Sequence, residues 1–94
     1  MNRSELVAQI AEAHPYLRQE EVRWVVDTIF ESITEALSRG DRVELRGFGA
    51  FTVKSRAPYR GRNPRTGEAV SVGERRALRF RAGKDLRQRL NDPN

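Results

Sequence analysis

The chain has 94 residues, 37% of them hydrophobic and 33% charged, with a net charge of +5. So short a chain makes one small domain that buries only about 60–65% of its unfolded surface, which makes a second chain the natural source of further burial. It contains no cysteine, which excludes disulfides and Cys-ligated metals, and neither an apolar run of membrane-spanning length nor a signal-peptide core, so a soluble cytoplasmic protein without a membrane partner is expected.

Asn2 followed by Glu5 is a capping-box-like start, and Leu6, Val7, Ile10 and Ala11 then recur at helical spacing as far as Pro15. A first helix is predicted over roughly residues 3–14. The lone His14, next to Pro15, suits a surface or helix-ending position better than a ligand or a base. Val22, Val25, Val26, Ile29, Phe30, Ile33, Ala36 and Leu37 follow the i, i+3, i+4, i+7 rule and predict a second helix, stopped by Gly40. That stripe serves either as internal core or as a surface for a second copy across a two-fold axis. Trp24 lies about 200° from Val22 at ~100° per residue, on the outer side.

From Arg42 the period becomes two. Val43 and Leu45 alternate with Arg42, Glu44 and Arg46; Phe51 and Val53 alternate with Thr52 and Lys54. The glycines of GFG (47–49) predict a tight turn and a hairpin of strands 41–46 and 49–58, with Pro58 ending regular pairing. Val70 and Val72 resume the alternation, and Leu78 and Phe80 continue it with Arg79 and Arg81 on the opposite side. AGKDLRQRL reads as a short last helix that begins near Gly83. The predicted order is α-α-β-β-β-α, without internal repeats.

The charge is divided unevenly. Residues 1–41 hold 4 basic and 8 acidic side chains, and residues 42–94 hold 14 basic and 5 acidic, a net −4 against +9. Arg56, Arg60, Arg62, Arg65, Arg75 and Arg76 lie within and around the segment GRNPRTG, which lacks apolar periodicity. Strands leaving past Pro58 and returning through Val70 make it the tip of a two-stranded arm, reaching about 20 Å at ~3.3 Å per residue. An isolated ribbon is marginal in water, so a polyanion is its expected ordering partner. Pro64 at such a tip serves either as a turn former with fixed φ or as a rigid apolar wedge between base pairs.

GFGAF, GRNPRTGE and FRAGKDLRQRL resemble the motifs of the HU/integration host factor family of bacterial DNA-bending proteins, over essentially the whole chain. Within that family DRVELRGFGAF is most similar to the beta subunit of integration host factor. The resemblance implies an α+β fold: two N-terminal helices, a three-stranded antiparallel sheet with a long basic β-ribbon arm, and a short C-terminal helix, assembled as an intertwined dimer. It divides one DNA-binding domain over 1–94 into a helical dimerisation part (1–40), a sheet (41–82) with its arm at about 56–76, and a C-terminal helix (83–91). It also implies double-stranded DNA as partner, with either an alpha-type subunit or a second copy of this chain completing the dimer.

By the same resemblance Pro64 is the intercalating residue, Arg60, Arg62, Asn63 and Arg65 are arm contacts, and Glu44 with Arg46 senses sequence. Ser4 and Lys84 fall where helix N-termini meet phosphate, and Arg42, Arg56, Arg76, Arg79 and Arg81 complete the candidate DNA contacts. Two departures stand out: Tyr59 occupies a position where a basic residue is common, and Ala77-Leu78 replaces Val-Pro. The roles implied are nucleoid organisation, recombination, replication, and transcription and translation control. A nonspecific HU-like binder is the alternative, and a single-strand or RNA binder would want more arm aromatics than Tyr59. With one His, no paired acids and no phosphate-cradling loop, neither an enzyme nor a cofactor site is expected.

Overall fold

The computed structural model describes residues 1–92. Helix α1 spans Arg3–Ala13, and its start is held by Asn2, whose side-chain oxygen accepts from the Glu5 amide at 2.9 Å. His14 caps the other end, its amide donating to the Ala11 carbonyl, while its ring meets the Tyr16 hydroxyl at 3.1 Å. Arg18 starts the next helix by accepting from the Glu21 and Val22 amides, and α2 runs over Gln19–Ser38 with Glu20 and Glu21 in its first turn. An Arg3–Asp27 ion pair at 2.5 Å joins the two helices across exposed side chains, a contact that fixes register more than it stabilises.

Two compact units are distinguishable, one of residues 1–35 and one from Ala36 onward. The core of the first consists of Val7, Val22 and Val26, with Leu6, Ile10, Ala11 and Leu17 packed around it. The predicted α2 stripe is therefore only partly used. Val25, Ile29 and Phe30 remain 46%, 52% and 46% exposed. Trp24 is exposed too, as its position opposite the stripe requires.

In the second unit three antiparallel strands form a sheet in the order β1 (Val43–Leu45), β2 (Gly49–Arg56) and β5 (Arg75–Ala82). Strands β3 (Tyr59–Arg62) and β4 (Ala69–Val72) make a separate two-stranded ribbon. The predicted strands 41–46 and 49–58 are thus shorter than expected, and three long strands become five. The reason is local. Pro58 has no amide hydrogen to donate, so the ladder lapses at 57–58 and at 73–74 opposite. Arg56 pairs with Arg75 and Tyr59 with Val72, which leaves the register unchanged across the gap. Ala77 and Leu78 pair regularly with Lys54 and Val53, so that departure does not disturb the strand.

Val43, Leu45, Phe51, Val53, Leu78 and Phe80 share one face of the sheet by alternation. On it the Phe51 and Phe80 rings lie 4.8 Å apart and the Phe48 ring 5.4 Å from Phe80. Helix α3 (Lys84–Leu90) docks on the β1–β2 turn: the Gly83 amide donates to the Phe48 carbonyl at 2.8 Å and the Leu86 amide to the Gly47 carbonyl at 3.2 Å. Gly49 is where these pieces crowd most closely. A Cβ there would lie 2.5 Å from the Phe80 ring and 2.7 Å from the Arg81 carbonyl oxygen, which belongs to backbone that cannot swing away. Gly49→Ala should therefore lower the unfolding free energy by about 1–3 kcal/mol in urea denaturation. Gly73→Ala, where an added Cβ meets nothing within 4 Å, should change it by no more than about 0.5 kcal/mol.

Candidate nucleic-acid interface

Alternation sorts the cations of the second unit. Ala50, Thr52, Lys54 and Arg56 of β2 face the same way as their partners Arg81, Arg79, Ala77 and Arg75 on β5, and Glu44 joins them through its pairing with Ala50. Arg42 adds itself to this face by an ion pair to Glu44 at 3.5 Å, and it lines one concavity with Thr52, Lys54, Arg79 and Arg81. Six exposed cations thus occupy the face opposite the phenylalanines, and Glu44 is its one carboxylate among the described strand residues. At the base of the ribbon Arg56 stands directly opposite Arg75. Like charges in that position repel, and an anion between them would turn the repulsion into attraction.

The unchanged register carries the same parity into the ribbon. Arg60 pairs with Ser71 and Arg62 with Ala69, so the two arginines stand side by side opposite small residues. Tyr59 and Gly61 pair with Val72 and Val70 on the other, apolar face. Tyr59 therefore does not interrupt the arginine row. It lies on the reverse side of the ribbon.

The tip is held by its own polar groups. Asn63 donates its amide to the Glu68 carbonyl at 2.8 Å and accepts the Gly67 amide at 2.7 Å. Its side-chain oxygen also accepts the Arg65 amide at 2.9 Å, an Asx turn that encloses Pro64. The Thr66 hydroxyl accepts the Glu68 amide at 3.3 Å, and the Arg62 guanidinium donates to the Gly67 carbonyl at 3.2 Å. Pro64 is exposed at the outermost turn with its φ fixed by the ring and its neighbours fixed by these bonds. Asn63, predicted as a DNA contact, has its side-chain oxygen engaged in the turn.

The remaining sequence-predicted residues are carried at other positions of the fold. Ser4 sits in the first turn of α1, Lys84 opens α3, and Arg46 is in the turn after β1. Glu44 lies on β1, which ends at Leu45, and its carboxylate pairs with Arg42. Arg76 has the parity of Leu78 and Phe80, and its guanidinium donates to the Ser38 carbonyl at 2.9 Å. Two cations on the face, Lys54 and Arg75, were not among the predicted contacts. Their signal was present in the alternation with Val53 and with Arg76, but only the β2–β5 register shows that they share a side.

Among the described residues no cluster of His, Asp and Glu is placed to hold a metal ion, and no helix is long and apolar enough to cross a membrane. The face is a charged surface whose shape and sign suit an extended anion. Arg79→Ala should lower the slope of log affinity against log salt for duplex DNA by about one for each phosphate it no longer neutralises, measured by fluorescence anisotropy across a salt series. Glu68→Gln, near the tip but away from the sheet face, should leave the slope close to that of the parent protein.

Comparison with known proteins agrees with this surface. The family model for bacterial DNA-binding protein matches residues 1–91. An Anabaena HU–DNA cocrystal structure is similar with a TM-score of 0.83 and 38% identity, over 99% of this chain and 100% of that one. HU from Thermotoga maritima is similar at 0.67 and 28% identity, over 97% of this chain and 100% of that one. A solution structure of a mutant of transcription factor 1 reaches 0.64 and 29% identity, over 95% of this chain and 89% of that one. With the match running from the first helix to the last, this chain belongs to the bacterial DNA-binding protein family, the family of HU.

Proposed function

We propose that this chain acts as an architectural protein that binds duplex DNA and bends it through the minor groove, with Pro64 as the wedge. One observation carries this reading: a row of cations on a single face, from Arg42 across the sheet to Arg62, ends at an exposed proline held by its own turn. Arginines on such a row neutralise phosphates along the groove, and an apolar ring at its end can enter a base step that the bend unstacks. The likeness to an HU structure obtained with DNA supports the same ligand. The cell compartment that follows is the nucleoid, with DNA packaging, recombination and gene control as the settings for bending.

The functional unit is a dimer in this reading. Val25, Ile29 and Phe30 on α2, together with Leu45, Phe48, Leu78 and Phe80 on the apolar sheet face, are each more than a third exposed. That is more apolar surface than a monomer of this size leaves to water without a partner. A second copy and an alpha-type chain both fit this requirement. Ile29→Asp separates a dimer from a monomer: a half-exposed site tolerates a carboxylate, whereas a buried one loses about 1.5–3 kcal/mol per copy. Sedimentation should show dimerisation weakened by ~100-fold or more. An unchanged sedimentation coefficient for a folded variant would sink the dimer.

A second reading concerns sequence preference, as in the beta subunit of integration host factor. Glu44 favours it, because a carboxylate on a phosphate-binding face is unfavourable unless it orients a cation, and here it holds Arg42. The resulting arrangement aims one guanidinium at a defined place on the duplex.

The central test is Pro64→Ala on a duplex labelled at both ends, followed by fluorescence transfer across a salt series. The arginines are untouched, so the salt slope should stay close to that of the parent protein. Bending should fall, because unstacking a step costs a few kcal/mol that the ring no longer helps to offset. The loss should be smaller on a duplex nicked at the kink. Full bending by Pro64→Ala would reduce the proline to a turn former.

A further inference from the structure

An α-helix ends with four carbonyls that lack an intrahelical partner, and α2 meets this need in two ways. Gly40 adopts φ 85°, its amide donates to the Leu37 carbonyl at 2.9 Å, and the Asp41 amide donates to the Ala36 carbonyl at 3.0 Å. This is the doubled closing bond of a Schellman turn, and it uses the carbonyls of residues 36 and 37. The Ser38 carbonyl accepts from elsewhere, from Arg76 Nη1 at 2.9 Å, across 38 residues of sequence. α2 has no basic residue of its own in its last turn, and Arg39 turns to Asp41 at 3.2 Å. Arg76 thus supplies the cation that the negative end of the helix dipole favours. Its guanidinium also lies close over the turn, with Nη2 3.1 Å from where a Cβ on Gly40 would stand.

Parity gives this contact its meaning. Arg75 belongs to the cationic face, opposite Arg56, whereas Arg76 pairs with Ser55 and points to the other side of β5. Arg76 also stands two residues from Glu74, where the ladder lapses before the ribbon. It is the side chain that ties the base of the ribbon to the last turn of α2. We propose that Arg76 is a positioning residue: it anchors the first residues of β5 on the α2 C-terminus and so sets the direction in which the arm leaves the sheet, without touching phosphate. This rests on the DNA-bending reading above. Neighbouring arginines then have opposite duties, Arg75 toward the anion and Arg76 toward the protein.

The test compares Arg76→Met, Arg76→Lys and Arg75→Met in the full chain, with the doubly labelled duplex and with amide hydrogen exchange of the free protein. Arg76→Met should leave the salt slope unchanged, reduce transfer efficiency at saturation, and speed exchange at the Gly40 and Asp41 amides about tenfold, as expected when one charge-assisted hydrogen bond is removed. Arg76→Lys, which keeps a charged donor and disturbs packing less, should recover most of both signals. Arg75→Met should do the reverse, lowering the slope by about one for each phosphate released and leaving exchange at Gly40 and Asp41 as in the parent. If Arg76→Met lowers the slope as Arg75→Met does, Arg76 is a phosphate ligand and the proposal is wrong. If exchange at Gly40 and Asp41 is the same in Arg76→Met as in the parent, the contact anchors nothing and the proposal is again wrong. A parent protein that fails to bend the duplex would overturn the bending reading, while the exchange measurement would still decide whether Arg76 anchors the turn.

Discussion

Two long strand segments keep a single register from Gly49 to Arg62 and back from Ala69 to Ala82, through a gap in which no ladder bonds form. Because side chains alternate strictly along a strand, that one register decides which side of the sheet every residue occupies. It places Lys54, Arg56, Arg60, Arg62, Arg75, Arg79 and Arg81 on a common side and the phenylalanines on the other. A slip by one residue would interleave them. The rest of the site follows from this: the repulsion between Arg56 and Arg75, the isolation of Glu44, and the opposed directions of Arg75 and Arg76.

The gap itself shows how one residue divides a strand without shifting it. Pro58 removes a donor, and Ala57 and Glu74 lose their ladder with it, yet the pairs on either side stay aligned. The ribbon beyond is short and has no core, so its order depends on local chemistry. At the tip that chemistry is dense: Asn63, Thr66 and the Arg62 guanidinium all bond to backbone within the same turn. The arm therefore has a tip closed by its own hydrogen bonds and a base where the ladder lapses.

The apolar side is as informative as the charged one. Three buried valines are a small core for the helical unit, and the α2 stripe continues well beyond them. Exposed Phe48, Phe80, Ile29 and Phe30 are the surface that the short chain cannot cover by itself. In the dimer proposed above, a second chain supplies the burial that residues committed to a polar arm do not.

Much of this was legible in the residues. Asn2, Pro15 and Gly40 mark the helix ends, the change of period at Arg42 marks the sheet, and the uneven charge marks the anion-binding half, because caps, breakers and periodicity are local properties of neighbouring residues. The exposed tip around Pro64 was legible for the same reason. What the residues could not show is which cations act together. An arginine has the same local chemistry on either side of a strand, and its side is settled by pairing with residues far along the chain. So Lys54 and Arg75 joined the cationic face, and Tyr59 turned to the reverse of the arm. Arg76 is the clearest case: in sequence it is one more charge of the arm, and only the approach of β5 to the end of α2, 38 residues away, makes it the partner of a helix carbonyl.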